Sequence, residues 1–314
     1  MSSEIHSMAP AETVILSPHV HTARTSLMAQ LSIYVELAKP RILTEIVLIA
    51  LAGFGLATNN WRNILLLHLS IGITLLAAGT GSLNQWMERD IDSEMRRTDR
   101  RPLPANRISP LHAGMFGAIT SVLGIGYLAL LVNPLSGLLG LATVLSYAFI
   151  YTPLKRKTPH STLIGAFPGA MPPVMGLVAV QNRISKEALI LFFIMFLWQF
   201  PHFLAIAWMY REDYARAGIK MLPIVEPDGI STGKQIVIYG LMLVPVSLLP
   251  TFIGLTGMIY LVGALVLSVV YLYFGILAAQ NRERQQARQL LLVSVIYLPL
   301  LFILMLLDKA HIAN

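Results

Sequence analysis

The sequence contains no cysteine and few charged residues. Of its 314 residues, 12% are Asp, Glu, Lys or Arg and 55% are hydrophobic, and the mean hydropathy is +0.66. The absence of cysteine excludes disulfide bonds, cysteine-ligated zinc, iron–sulfur clusters and thiolate-ligated haem. The scarcity of charge together with the apolar excess excludes an ordinary soluble domain. The composition therefore predicts an integral membrane protein.

Long stretches without charge predict the number of membrane crossings. No Asp, Glu, Lys or Arg lies between Ile108 and Leu154 or between Gln235 and Asn281, and each stretch is long enough for two crossings of about 20 residues. Five further segments each fit one crossing: Ile42–Thr58, Ile64–Leu83, Thr162–Gln181, Ala188–Tyr210 and Gln289–Leu307. We therefore expect an all-α, polytopic membrane protein with nine transmembrane helices.

The N-terminal segment differs from the rest of the chain. Residues 1–38 hold one arginine, Arg24, and no sustained apolar run, which fits neither a signal peptide nor an arginine-rich transit peptide. We expect residues 1–38 to form a mostly disordered cytoplasmic tail of a bacterial inner-membrane protein. Residues 39–314 are expected to form a single membrane-embedded domain.

The basic residues are unevenly divided between the two predicted sides of the membrane. Of the 23 Lys and Arg residues, all but four fall on the side of the N-terminus if nine helices cross. The four exceptions are Arg62, Arg183, Lys186 and Lys309. The positive-inside rule then places the N-terminus and the long polar loops in the cytoplasm. The net charge of +7 is assigned to topology and phosphate binding, because no segment resembles a nucleic-acid-binding module.

A group of acidic residues follows the second apolar segment. Asn84, Glu88 and Asp92 are four residues apart, so they stack on one face if the helix continues past Leu83. Oxygen ligands of this kind suit Mg²⁺. Asp90 points about 160° away from Glu88 on an ideal helix and is a weaker candidate. The alternative is a solvated helix end, in which these acids pair with nearby arginines.

Four basic residues and one further acid are also candidates for the site. Arg97 and Arg101 come directly after the acids, and guanidinium groups bind phosphate oxygens well. Lys155 and Arg156 close the fourth predicted helix, although such a cluster also serves as a topology signal or a lipid contact. Asp213 follows the sixth helix and is either part of a second metal site or an ordinary interfacial acid.

His202 lies inside the sixth predicted crossing, in the segment Trp198-Gln-Phe-Pro-His202. The residue before it, Pro201, is expected to break the helix locally and expose the imidazole. The histidine then has three possible roles: hydrogen bonding to a carbonyl freed by Pro201, ligation of haem, or proton transfer.

These segments together resemble the UbiA superfamily of intramembrane prenyltransferases, and within it the branch that farnesylates haem. The matching segments are Asn84-x-x-x-Glu88-x-x-x-Asp92, Met95-x-Arg97-Thr98-x-x-Arg101-Pro102-Leu103, Tyr151-Thr152, Lys155-Arg156-x-Thr158, Ile164–Pro173, Trp198-Gln199-x-Pro201-His202-Phe203 and Asp213-Tyr214-x-x-Ala217-Gly218-x-x-Met221-Leu222-Pro223. Two positions depart from the common pattern. Glu88 stands where aspartate is usual, and Ala217 stands where many quinone-type members have a second acid.

The resemblance implies a UbiA-type helical bundle that transfers the farnesyl group of farnesyl diphosphate to a vinyl group of haem b. It implies a Mg²⁺ cofactor, with haem as substrate. The implied site residues are the metal-binding and catalytic Asn84, Glu88, Asp92 and Asp213, the diphosphate-binding Arg97, Arg101, Lys155 and Arg156, and the haem-binding His202 and Trp198. Membrane lipid and a haem A synthase or terminal oxidase assembly are the implied partners. The alternatives are a transferase acting on an aromatic quinone precursor and a secondary transporter.

Overall fold

The computed structural model describes residues 27–310. Within this range, nine helices are long and apolar enough to cross a membrane. A shorter helix, α1 (Leu27–Leu37), precedes them. The crossing helices are α2 (Pro40–Ala57), α3 (Ile64–Ser93), α4 (Pro110–Leu131), α5 (Pro134–Leu154), α6 (Ser161–Gln181), α7 (Lys186–Met209), α10 (Ile230–Phe252), α11 (Met258–Asn281) and α12 (Arg284–Leu307). Two short helices, α8 (Arg211–Arg216) and α9 (Leu222–Val225), lie between α7 and α10.

The prediction of an all-α, nine-crossing membrane protein is confirmed for the described part of the chain. Two helices differ in detail from the sequence prediction. Helix α3 continues ten residues past Leu83 to Ser93. Helix α6 consists of two helical segments that meet at Ala170, because Pro168 and Pro172 on either side cannot donate backbone hydrogen bonds.

Neighbouring helices in the sequence pack together and form two linked groups. The first group contains α2 to α6, with the tightest pairing between α3 and α4. The second contains α7 and α10 to α12, and it joins the first through contacts of α7 with α6 and of α12 with α2. Large apolar side chains such as Leu130 (84% exposed) and Phe252 (73%) remain on the outside. An outer surface of this kind is suited to lipid rather than water.

Small residues allow α2 and α6 to approach closely. A Cβ atom added at Gly176 would collide with the backbone carbonyl of Ala50, and one added at Gly53 would collide with the carbonyl of Pro173. Small residues at helix crossings allow backbones to come into contact, which drives association in membranes where burial of apolar surface contributes little. The contact fixes α2, and therefore the residues that precede it, against the rest of the bundle.

Helix α1 corrects part of the sequence prediction. The predicted disordered tail covers residues 1–38, but residues Leu27–Leu37 form a helix. The helix is held because Leu37 is buried with Leu103 and Ala113 and because Tyr34 packs on the ring of Phe116. The part of the predicted tail before residue 27 lies outside the described residues.

The prediction that Pro201 breaks the sixth crossing is wrong. Helix α7 is continuous from Lys186 to Met209, with Pro201 inside it. A proline in a helix removes one backbone hydrogen bond, and a helix surrounded by packed neighbours tolerates that loss. Helix α7 has such neighbours in α6, α10 and α12.

The close approach of α2 and α6 can be tested at Gly176. Gly176→Ala forces two helices apart and should lower the free energy of unfolding by about 1–3 kcal/mol. Gly126→Ala is the matched control, because a Cβ atom there meets nothing within 4 Å. Thermal unfolding of both variants in detergent measures the difference. Equal melting temperatures would contradict the proposed packing role.

Candidate active site

The end of α3 carries a stack of buried polar side chains. Asn84 (2% exposed), Glu88 (6%) and Asp92 (1%) lie on the face of the helix that packs into the protein. Asp90, which points the other way, has a side chain that is 82% exposed. The sequence prediction that the helix continues and stacks these three side chains is confirmed. The predicted alternative of a solvated helix end does not fit their burial.

Each of the three buried side chains receives a hydrogen bond from a different cation. Lys39 Nζ lies 2.9 Å from Asn84 Oδ1, and Lys155 Nζ lies 2.7 Å from Glu88 Oε1. Arg101 Nη1 lies 2.7 Å from Asp92 Oδ2. Buried carboxylates require such partners, because removing an unpaired charge from water is costly. Three separate segments of the chain therefore meet at this face of α3.

Helix α5 contributes through an irregular turn. Residues Leu145–Tyr151 adopt π-helical geometry, and Thr152 Oγ1 donates to the carbonyl of Tyr147 at 2.9 Å. The same hydroxyl accepts a hydrogen bond from Asn84 Nδ2 at 3.3 Å. The ring of Tyr151 lies under Lys155 Nζ, 4.6 Å from the ammonium to the ring centroid. π-Helical turns frequently occur at functional sites, and this one brings Thr152 and Lys155 to the acids.

Lys39 was not among the residues predicted for the site. It belongs to the basic residues on the predicted cytoplasmic side, and its side chain reaches the buried amide of Asn84. Its backbone adopts the left-handed conformation, with φ 53°, directly before Pro40 at the start of α2. Non-glycine residues rarely adopt this conformation, which is typical of functional sites. A lysine followed by proline at the start of the first crossing was the only sequence signal available.

The two buried lysines have opposite electrostatic surroundings. Burial and the nearby positive charge of Arg101 lower the pKa of Lys39 to about 7. Burial also disfavours the ammonium of Lys155, but the adjacent Glu88 carboxylate outweighs burial and raises the pKa of Lys155 above its ordinary value. Lys39 thus lacks a carboxylate partner of its own, because Asn84 is neutral. When Lys39 is protonated, three cations face two carboxylates, and a bound anion would stabilise the Lys39 ammonium.

The loop after α7 covers part of this end of the bundle. Lys220 N donates to the carbonyl of Lys155 at 2.8 Å, and Arg216 Nε donates to the carbonyl of Glu94 at 3.2 Å. Arg97 Nη2 donates to Tyr214 Oη at 3.1 Å and also lies near the ring of Tyr210. The predicted diphosphate ligand Arg97 is therefore held by the second polar loop.

Two predicted site residues lie outside the buried group. Asp213 forms an ion pair with Arg216, within its own short helix α8. Among residues 27–310, no three His, Asp or Glu side chains are placed together as a metal site, so Asp213 does not join Glu88 and Asp92 in this arrangement. Arg156 is exposed and forms no hydrogen bond or ion pair with the described residues. Their proposed roles remain predictions.

The residues at the end of α3 fit a Mg²⁺ ion. Asp92 Oδ1 is buried and has no hydrogen-bond partner, so one carboxylate oxygen in the site is free to bind a cation. Magnesium commonly takes one or two carboxylates and completes its octahedral shell with water and substrate phosphates. Glu88 and Asp92 supply the carboxylates and Asn84 an amide oxygen.

Trp198 and His202 occupy a different part of α7. The Trp198 indole nitrogen donates to the carbonyl of Ser294 on α12 at 3.0 Å, and His202 Nδ1 lies 2.7 Å from Ser294 Oγ. The two rings stack, with centroids 4.8 Å apart and planes inclined by 27°. The histidine therefore hydrogen-bonds a hydroxyl rather than a carbonyl freed by Pro201. No contact links this pair directly to the buried acids.

Comparisons with known proteins concern the family and the fold of the chain. Residues 46–305 match the UbiA prenyltransferase family. A protein named protoheme IX farnesyltransferase from Solibacter usitatus is 51% identical over 286 residues, which cover 88% of this chain and 98% of that protein. The fold is similar to that of digeranylgeranylglyceryl phosphate synthase, with a TM-score of 0.76, 19% identity and coverage of 89% and 98%. It is also similar to an Archaeoglobus fulgidus UbiA homologue bound to GPP and Mg²⁺, with a TM-score of 0.63, 16% identity and coverage of 87% and 99%.

The buried pair of Glu88 and Lys155 can be tested by a double-mutant cycle. Glu88→Gln leaves the ammonium of Lys155 buried without its counter-charge and should destabilise the protein by about 3 kcal/mol. Adding Lys155→Met removes that charge and should restore most of the lost stability. Thermal unfolding of the parent, both single variants and the double variant gives the coupling energy. Additive effects would show that the two side chains are independent.

Proposed function

Because the chain belongs to the UbiA prenyltransferase family, we propose that it transfers the farnesyl group of farnesyl diphosphate to a vinyl group of haem b, giving haem O and diphosphate. The observation that carries this proposal is the buried group of Asn84, Glu88 and Asp92 faced by three cations. The 51%-identical relative named protoheme IX farnesyltransferase supports haem as the acceptor.

The cations would bind the diphosphate. Lys39 and Lys155 reach the face of α3 from two different helix ends, and Arg101 reaches it from the loop that follows. Arg97, held by Tyr214 of the second polar loop, would be a further ligand. Charge-assisted hydrogen bonds from these groups would stabilise the negative charge that develops on the leaving diphosphate. Arg156, exposed in the same loop as Lys155, would reach the diphosphate only from the rim of the site.

Glu88 and Asp92, with the amide oxygen of Asn84, would hold Mg²⁺. When bound, the ion would neutralise diphosphate oxygens and make the diphosphate a better leaving group. The free oxygen Asp92 Oδ1 supports this assignment. Asp213 would contribute only after releasing Arg216, with which it is paired.

The chemistry would need no nucleophilic side chain. The bond between C1 of the farnesyl group and the diphosphate oxygen breaks, and the vinyl group of haem b attacks the allylic cation. Water adds to the resulting cation and loses a proton, which gives the hydroxylated side chain. The chain's own task is to bind the leaving group and to exclude water until the carbon–carbon bond has formed. Trp198 and His202 would contact the haem acceptor.

The protein would lie in a bacterial inner membrane with the acidic and basic loops in the cytoplasm. The distribution of loop cations supports this orientation. The product would then be available to a haem A synthase or to the assembly of a terminal oxidase in the same membrane.

The alternatives have less support. A secondary transporter is excluded as the primary activity by membership in a prenyltransferase family. A quinone-type acceptor lacks support from the sequence, since Ala217 replaces the second acid that many quinone-type members have.

The proposed reaction is tested directly with purified protein in lipid. Incubation with farnesyl diphosphate, haem b and Mg²⁺ should give diphosphate and a haem product heavier by one farnesyl group and one hydroxyl group. Release of diphosphate with no change in haem mass would support another acceptor. Absence of both products would overturn the proposal.

Asp92→Asn tests the proposed metal site. The substitution keeps the shape of the side chain but removes one negative charge, so turnover should fall at least about a hundredfold, or roughly 2.7 kcal/mol in the activation free energy. Asp90→Asn, on the exposed face of the same helix, is the matched control and should keep parental turnover. Initial rates at saturating Mg²⁺ measure both. Near-parental turnover of Asp92→Asn would rule out a catalytic role for this carboxylate.

Reporter fusions test the proposed topology. With nine crossings, the two termini lie on opposite sides, and the positive-inside rule places the N-terminus in the cytoplasm. A cytoplasm-active reporter should therefore be active at the N-terminus and inactive at the C-terminus. Equal activity at both termini would contradict the odd number of crossings.

A further inference from the structure

Ser294 holds both members of the aromatic pair on α7. Its carbonyl accepts the indole N–H of Trp198 at 3.0 Å, and its hydroxyl lies 2.7 Å from His202 Nδ1. Ser294 itself is fully buried on α12. One residue of a neighbouring helix therefore contacts both side chains for which the family resemblance implies haem binding.

The direction of the hydrogen bond between His202 and Ser294 follows from the other contact of the hydroxyl. Ser294 Oγ donates its single hydrogen to the carbonyl of Leu291 at 2.6 Å. The hydroxyl has no second hydrogen, so it can only accept from the imidazole. His202 must therefore carry its proton on Nδ1 when it is neutral. The lone pair of the imidazole then lies on Nε2.

Nε2 of His202 is available to a ligand. It forms no hydrogen bond with any residue in the range that the structure describes, and the side chain is only partly buried. A polar atom inside a membrane crossing is costly when it has no hydrogen-bond partner. Such atoms commonly mark a place where a ligand binds. Neutral imidazole with one free nitrogen is the form that binds the iron of a porphyrin.

A further hydrogen bond holds the backbone of α7 beside the pair. Tyr271 Oη on α11 donates to the carbonyl of Trp198 at 2.9 Å, and the Tyr271 ring stacks on Tyr297 of α12 with centroids 5.2 Å apart. The Trp198 ring in turn stacks on His202. The imidazole itself is held by the Ser294 hydroxyl on α12 and by the ring of Trp198 on its own helix.

We propose that Ser294 is a positioning residue that holds His202 with its Nε2 lone pair directed at the iron of the porphyrin acceptor. The proposal rests on the proposed function, because that function supplies haem as the acceptor. Hydrogen bonds to the second nitrogen of a ligating histidine fix its tautomer and orientation, and their loss typically weakens metal binding by about 10-fold to 100-fold.

The test is a haem b titration of the full-length protein in lipid nanodiscs, followed by the Soret absorption band. Ser294→Ala removes the acceptor, and Ser294→Cys fills nearly the same space with a weak acceptor. Both should weaken haem binding by about tenfold or more and alter the band of histidine-ligated haem. His202→Ala gives the spectrum without this ligand. Ser121→Ala is the matched control, because Ser121 is buried on α4 against Gly79 of α3, away from His202 and from the tyrosine pair.

The outcomes distinguish failure of this proposal from failure of the proposed function. Parental affinity and spectrum in both Ser294 variants, or in His202→Ala, would overturn the proposal even if the parent converts haem b to the farnesylated product. Equal weakening by Ser121→Ala would also overturn it, since the effect would then be general to helix packing. If the parent binds haem through His202 but yields no farnesylated product, the positioning role stands and the proposed function fails.

Discussion

The fold depends on keeping two carboxylates buried at the end of a membrane-crossing helix. Glu88 and Asp92 are almost fully buried, and a charge in such surroundings is tolerated only with partners of opposite charge. Their partners, Lys155 and Arg101, come from the end of α5 and from the loop after α3. The requirement for counter-charges therefore constrains how these two segments meet α3. The glycine contact between α2 and α6 and the π-helical turn of α5 both bring a lysine to the same face of α3.

The end of α3 has fewer carboxylates than basic side chains, and this difference favours an anionic ligand. Lys155 and Arg101 each have a carboxylate partner, whereas Lys39 has only the neutral amide of Asn84. A buried ammonium without a counter-charge is unfavourable, and burial for this reason lowers the pKa of Lys39. An anionic substrate group would remove the cost. Binding of a diphosphate is thus favoured by the site itself, and the family to which the chain belongs uses such substrates.

Periodic and compositional features were predictable from the sequence, whereas long-range contacts were not. Stretches without charge predicted nine crossings, and the four-residue spacing of Asn84, Glu88 and Asp92 predicted their common face. Lys39 was missed because its contact spans 45 positions in sequence and depends on how α2 packs. The ion pair of Asp213 with Arg216 and the continuity of α7 through Pro201 likewise depend on neighbours that no local pattern specifies. The role of Ser294 depends on a contact between α7 and α12, which are far apart in the chain.

The central claim is that unbalanced positive charge at the end of α3 binds the diphosphate, and Lys39→Met tests it most directly. The substitution keeps the length of the side chain but removes its charge, and charge-assisted hydrogen bonds contribute about 1.5–3 kcal/mol. Affinity for a non-hydrolysable farnesyl diphosphate analogue, measured by calorimetry at fixed Mg²⁺, should fall about tenfold or more. Lys157→Met, at an exposed lysine of the basic loop after α5, should leave affinity unchanged. Equal affinity in the parent and in Lys39→Met would contradict the account.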